Sequence, residues 1–353
     1  MNNSTIQTFL SLVRAGLWEQ DVRLSQFERV DYEEIMHLAE EQTVVGLVTA
    51  GLEHVVDVKV PQEWLLQFIG QTLQIEQQNK EMNAFVARLI DKLRKDDVYA
   101  ILIKGQGIAK CYEKPLWRAS GDVDLLLGKD NFENAKKVLI PLSSGNKPYR
   151  NYSKELGYLI DSWSVELHGS QRTGLSTRVD KEIDAVQRDI FYDGNVRSWK
   201  NGKTTVFLPS PDNDVFIVFT HFIKHFYKEG GVSIRQLCDW CRLMWTYKEE
   251  IDAPLLETRL KKSRLISEWK GFAAVAVDYL GMPNEAMPLY RENKKWRKKA
   301  EKILAFILKG GEWRRIHDTL LVGRIYPVNT IRFLPGILLS ATCLKIKERV
   351  FGT

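Results

Sequence analysis

Cysteine is scarce in this chain. Among 353 residues there are four, at positions 111, 238, 241 and 343, too few and too scattered for a disulfide framework. A scaffold held by bridges is thereby excluded, and a reducing cytoplasm is the expected setting. Long apolar runs are missing as well: the longest, Phe333 to Leu344, is interrupted by Pro335 and Gly336 and falls short of the roughly 20 residues a bilayer span requires. No charged start followed by an apolar stretch marks a signal peptide at the N-terminus. Internal repeats are absent, and the basic run KKWRKK at 294–299 is the one biased segment, which excludes solenoid and fibrous architectures. Nor is there much charge of one sign. The 51 Lys and Arg against 45 Asp and Glu leave +6, too small an excess to declare a nucleic-acid partner.

What is present is a globular composition, 44% hydrophobic and 27% charged, with length enough for a substantial core and two or three compact units. The charge is unevenly placed. From Arg291 onward, 15 basic and 5 acidic residues give +10 and leave −4 for the rest of the chain.

The first hundred residues read as helices. One helical pattern runs from Tyr32 to about His54. A longer one, from Val60 to Asp97, places Met82, Phe85, Val86, Leu89 and Leu93 on one face, with Pro61 suited to its first turn. At Val98 the texture changes. VYAILI, 98–103, has the length and apolar character of a strand, and KGQG, 104–107, breaks it before a short helical piece ending near Pro115. GDVDLLLG, 121–128, predicts a second strand, 131–140 a helix, and SVELHG, 164–169, a third strand. A helix over 180–191 and a hairpin around Asn201-Gly202 follow. Beyond Pro211 the pattern is helical again, near 213–228, 233–249, 254–281 and 293–309. The expected class is α+β: a small mixed sheet over 97–210, flanked by a helical region over 1–96 and a helical domain with a basic tail over 211–353.

The carboxylates carry the chemistry. Alternate side chains of a strand face opposite ways, so Val123, Leu125 and Leu127 can face the core while Asp122 and Asp124 share the other face. Two carboxylates side by side repel, and a divalent cation is a physical reason for keeping them there. Val165 and Leu167 repeat the pattern and set Glu166 beside His168. A third carboxylate from another strand would complete a two-metal site, one ion activating an attacking hydroxyl and the other holding a triphosphate. Magnesium suits such oxygen ligands, with manganese able to replace it. Gly105 and Gly107 let backbone N–H groups approach phosphates, and Lys104, Gln106 and Arg118 are further candidates for that role. His168 could orient a metal-bound carboxylate, contact a ribose, or serve as an ordinary structural hydrogen-bonding group. Each motif alone is common by chance; what argues for function is their order, a strand, a KG turn, a helix, D-x-D and a later acidic strand.

This order resembles the nucleotidyltransferase superfamily of DNA polymerase β. IKGQGIAKCYEKPLWRASGDVDLLL is similar in particular to an uncharacterised nucleotidyltransferase family of bacterial proteins, in Lys104-Gly105, Tyr112 and Pro115, Arg118, and Gly121 to Leu125. VELH, 165–168, resembles its later acidic strand, and FTHFIKHFYKEGGVSIRQLCDW its two C-terminal helices, where a His, an Arg and an Asp recur, here His221, Arg235 and Asp239. The resemblance implies an NTP donor, magnesium and transfer of a nucleoside monophosphate, with those three residues lining the nucleotide or acceptor pocket. It names no acceptor; a sugar or other small molecule is expected, and the alternatives are an RNA-directed enzyme or an inactive nucleotide-binding scaffold. Gly105-Gln106-Gly107 departs from the G-S or G-G of many members.

Two other constellations need weighing. His221, His225, Cys238 and Cys241 have metal-like spacing, but both pairs fall in strongly helical apolar patterns, so core packing is expected rather than zinc. Cys111 is expected to be packed rather than nucleophilic. For the basic C-terminal segment a solvated helix face ranks first. Next comes contact with an anionic membrane surface through Ile331, Phe333, Leu334, Ile337, Leu338 and Leu339 beside Arg332, Lys345, Lys347 and Arg349, peripheral at the inner face. RNA ranks third.

Overall fold

The computed structural model describes residues 3–146, 148, 150–152, 155–229, 231–309 and 315–338. Four helices come first, α1 (Asn3–Trp18), α2 (Tyr32–Glu41), α3 (Val45–Glu53) and α4 (Gln62–Lys95). The strands β1 (Ala100–Ile103) and β2 (Asp122–Leu127) are joined through the short helix α5 (Gly105–Ala109). Then come α6 (Lys129–Leu139), β3 (Arg150–Tyr152), β4 (Glu155–Ile160), β5 (Trp163–His168), α7 (Thr177–Phe191), β6 (Val196–Asn201) and β7 (Thr204–Pro209). The C-terminal helices are α8 (Pro211–Lys224), α9 (Ile234–Thr246), α10 (Ala253–Ser263), α11 (Ile266–Asp278), α12 (Lys294–Ile307) and α13 (Arg315–Ile325). The class is α+β.

The strands form one mixed sheet of seven in the order β3-β4-β5-β2-β1-β7-β6. Neighbours are antiparallel except for β2 with β5 and β1 with β7. Alternation gives the sheet two different faces. One presents Ala100, Leu102, Val123, Leu125, Leu127, Val165 and Leu167 to the second half of α4 and to α6. The other contributes Ile101, Ile103 and Leu126 to a larger core built from the first and last helical regions together. Hydrogen bonds tie these regions: Trp18 Nε1 donates to the Leu280 carbonyl at 2.6 Å, and the Ile234 N–H to Gln42 Oε1 at 2.9 Å.

The residues predicted for the inner face of α4, from Met82 to Leu93, are buried there. Pro61 stands as the residue capping that helix rather than inside its first turn. The helix expected over 254–281 is two: Arg264, at φ 60° and ψ 34°, takes the left-handed conformation that ends α10, and α11 restarts at Ile266. Strands β3 and β4 are additions to the expected sheet; β4 and β5 form a tight hairpin whose two-residue turn, Asp161-Ser162, has positive φ at both positions without the glycine that usually marks such a turn.

The KKWRKK run lies on the outer side of α12, exposed except for Trp296 and Lys299, with Lys295, Lys299 and Lys270 around the Trp296 ring. In the helical stretch 327–338, Phe333 is buried, Ile337 is half-buried, and Ile331, Leu334 and Leu338 are exposed. Arg332 donates to Asn329. Leu339, Cys343, Lys345, Lys347 and Arg349 lie outside the described residues. No helix among the described residues is long and apolar enough to cross a membrane.

Candidate active site

The parallel register of β2 and β5 sets Asp122 beside Ser164, Asp124 beside Glu166 and Leu126 beside His168. With Val123 and Leu125 committed to the core below, both aspartates rise on the opposite face, next to Glu166 and His168. The chain reverses immediately after β1. Lys104 adopts φ 58° and ψ −148° and Gly105 φ 42°; such a conformation at lysine costs on the order of 1–3 kcal/mol and persists only where the surroundings impose it. There Lys104 Nζ lies 3.1 Å from Asp124 Oδ1.

His168 Nε2 lies 2.6 Å from the same oxygen and 3.7 Å from Glu166 Oε2. Asp124, Glu166 and His168 are 4%, 8% and 6% exposed, and each offers a ligand atom within 4.8 Å of the others. Asp122 is on the same face but less buried, and it stands outside that group.

The charges are mutually perturbed. Asp122 is raised above the usual carboxylate range, first by the Asp124 charge and then by burial, against Lys104. Burial also opposes ionisation of Asp124, but Lys104 and the His168 hydrogen bond outweigh it and hold that carboxyl low. Lys104 is raised: burial works to lower it, and Asp124, Asp122 and Glu166 together prevail. Lys104 therefore faces Asp122, Asp124 and Glu166 in a site shielded from water, and Arg235 and Arg118 also act on Asp122.

A second cluster sits close by. Arg118 is buried and grips Asp239 with two bonds, Nε to Oδ1 at 2.8 Å and Nη2 to Oδ2 at 2.7 Å. Its Nη1 donates to the Ala119 carbonyl and to Ser120 Oγ, so four of the five guanidinium N–H groups that arginine carries are spent inside the protein. Tyr112 donates to Asp239 Oδ1 at 2.8 Å, and Arg235 reaches Asp239 Oδ2 at 3.3 Å and Thr43 Oγ1 at 2.9 Å. Burial raises Asp239 but Arg118 overrides it, and the carboxyl is held low.

The KGQG turn is partly committed as well. The N–H groups of Gly107 and Ile108 donate back to the Lys104 carbonyl. Gln106 is buried and donates to Asn79 Oδ1 at 3.1 Å, while Asn79 Nδ2 supports the carbonyls of Leu116 and Arg118 at 2.8 Å. A Cβ on Gly107 would meet the Leu208 methyl at 2.6 Å, so glycine there serves close packing on β7. His221 Nε2 lies 3.1 Å from His225 Nε2, and burial, then the Lys104 charge, depresses His221 well below its usual value and keeps it neutral.

The family model described as uncharacterised nucleotidyltransferase matches residues 28–281, well over half of the chain and including both clusters. The chain belongs to the uncharacterised nucleotidyltransferase family. No curated protein matches the chain, and no solved structure does. Membership in this nucleotidyltransferase family agrees with the resemblance drawn from the D-x-D region, and it carries the general activity, transfer of a nucleoside monophosphate from an NTP, without an acceptor.

The described cysteines of this nucleotidyltransferase, Cys111, Cys238 and Cys241, are core residues. Cys238 and Cys241 are fully buried, and burial pushes both thiols up. Among the described residues, the only group of His, Cys, Asp and Glu close enough to share an ion is Asp124, Glu166 and His168, so the His221, His225, Cys238 and Cys241 set does not gather. Burial raises the Cys111 thiol to about 11, which leaves it un-ionised and inert. Two supports escaped the sequence reading. Asn79 lies in the middle of a helix with no motif around it. Arg242 on α9, buried, donates to the carbonyls of Cys111 and Leu17 and to Glu113 Oε1.

Proposed function

We propose that this protein transfers a nucleoside monophosphate from an NTP to an acceptor hydroxyl, with Asp122, Asp124 and Glu166 as the carboxylates that hold two magnesium or manganese ions. The observation that carries the reading is the register that sets Asp124 beside Glu166 on one buried face with Lys104 against them. The donor set fits: two buried carboxylates, Asp124 and Glu166, with ligand atoms within 4.8 Å of each other, are what a hard divalent ion takes. Bound there, such ions supply charge neutralisation for the phosphates and acidify the acceptor hydroxyl.

The chain's own groups do the rest. His168 and Lys104 fix the Asp124 carboxylate, whose Oδ1 accepts from Lys104 Nζ and meets His168 Nε2. Lys104, released from Asp124, pairs with the triphosphate as a point charge, and the first N–H groups of the Gly105–Gly107 turn face the same phosphates. Glu166 takes the proton of the acceptor hydroxyl as its oxygen bonds to the α-phosphorus. The bond between that phosphorus and the bridging oxygen breaks, and pyrophosphate leaves. His221, neutral and near Lys104 and His168, is suited to accept a hydrogen bond from the acceptor. Arg235 borders the pocket, and Arg118 and Asp239 shape it through their mutual pair.

The test is a screen of labelled NTPs against sugars, sugar phosphates, aminoglycosides, proteins and RNA, following pyrophosphate release, with Asp124→Asn as the control. Transfer that needs a divalent ion and disappears in Asp124→Asn is the expected result. Full activity of that variant would defeat the assignment.

A further inference from the structure

The site just described contains a group that a purely carboxylate centre has no use for. His168 follows Glu166 by two residues on β5, on the same face, and its Nε2, the outer nitrogen of the ring, lies near both carboxylates. It is 2.6 Å from Asp124 Oδ1 and 3.7 Å from Glu166 Oε2. A histidine that merely steadied a ligand would reach that carboxylate from behind, away from the ion. Here the same nitrogen is within 3.7 Å of an oxygen of each carboxylate. Ligand atoms around one ion at about 2.1 Å stand roughly 3 Å apart when adjacent and about 4.2 Å apart when opposite. The three ligand atoms lie within 4.8 Å of one another, so a shared ion would draw them together, while the 2.6 Å contact would open by a few tenths of an ångström to the adjacent spacing. Asp122 is outside the group.

We infer that His168 is a direct ligand of the metal through Nε2, beside Asp124 and Glu166, and that this two-carboxylate, one-imidazole centre prefers a first-row transition ion to magnesium. Magnesium takes oxygen ligands and surrenders its water reluctantly. Imidazole nitrogen is a borderline ligand that favours transition ions. Asp122 is then left to face a second ion or the nucleotide. The inference rests on the reading of this cluster as the metal-holding site.

Manganese(II) is the probe, because it is paramagnetic and reports directly bonded nitrogen. Electron paramagnetic resonance titration of the full chain measures its affinity, with magnesium as competitor, and electron spin-echo envelope modulation detects nitrogen bound to the ion. Manganese should bind at least about tenfold tighter than magnesium. The echo should carry a nitrogen-14 modulation that becomes a nitrogen-15 signature when the protein is labelled with nitrogen-15 histidine. His168→Gln should remove the modulation and His221→Gln should keep it. A fall in affinity alone would not decide the matter, since loss of an outer hydrogen bond can weaken metal binding about 10–100-fold; the nitrogen coupling does. Bound manganese with no histidine coupling in the labelled wild-type protein overturns the inference and leaves the carboxylate site intact, and that measurement stands even if His168→Gln fails to fold. Coupling that persists in His168→Gln also overturns it. Failure of either ion to bind, with or without NTP, overturns both this inference and the proposed function.

Discussion

Two buried charge clusters stand side by side in this fold, and they are built on opposite principles. Around Asp239 the charges are matched: Arg118 meets it with two near-ideal bonds, Tyr112 adds a third, and most of the guanidinium is satisfied within the protein. Around Asp124 the carboxylates crowd one another: its charge raises Asp122, and Lys104 serves Asp122, Asp124 and Glu166 together. A closed pair fixes structure, since the buried ions already have all they need. An open cluster keeps an unmet electrostatic demand, which a cation from solution can satisfy. The sequence places residues of both clusters in one nucleotide site; the geometry distinguishes a tightly paired set around Asp239 from a crowded carboxylate set around Asp124.

The largest effect should come from breaking the open cluster where it is deepest. Asp124→Asn is expected to lower turnover by roughly a thousandfold or more, several kcal/mol of lost charge stabilisation, with an unchanged circular dichroism spectrum. The closed cluster should respond in the opposite currency. Asp239→Ala leaves Arg118 buried without its partner and is expected to cost about 3–5 kcal/mol of stability, read from urea unfolding, while manganese binding measured on the folded variant stays close to wild type.

The acid limb separates the clusters again. Asp124 and Asp239 are held low, so their contribution to stability is complete above the ordinary carboxylate range and is lost as pH falls through their depressed values. Asp122 is raised, and protonating it relieves repulsion instead of removing an attraction. Asp122→Asn should therefore raise the melting temperature of the metal-free protein by ~1–2 °C at neutral pH while weakening the stabilisation gained on adding magnesium. A lower melting temperature in metal-free Asp122→Asn would mean that the cluster is balanced after all.

The smallest effects concern the turn. Gly107→Ala should cost under about 1 kcal/mol, because its N–H is already engaged by Lys104 and the clash is with the end of the flexible Leu208 side chain. Gly105→Ala should cost about 1–2 kcal/mol, because its φ of 42° is one that side chains resist. Equal losses of stability at the two positions would contradict this division.

What the sequence made legible followed from local periodicity. Strand alternation put Asp122 with Asp124 and Glu166 with His168 on like faces, and helical spacing identified the buried side of α4. Partners across long separations could not be read that way. Nothing local pairs Arg118 with Asp239, 121 residues on, or makes Asn79 a bracket for Gln106 and for the Leu116 and Arg118 carbonyls. The order of strands was hidden for the same reason, since β1 lies between β2 and β7 and β2 pairs with β5. The role of His168 depends on a few tenths of an ångström, a scale that spacing does not carry.

The central claim is that Asp124 and Glu166 present an electrostatic demand met by a divalent ion on which nucleotide binding depends. Calorimetric titration of the protein with a non-hydrolysable NTP analogue, with magnesium or manganese and then with chelator, tests this most directly. Binding in the presence of the ion that vanishes with chelator and in Asp124→Asn is the predicted result. Equal binding in all three would contradict the account.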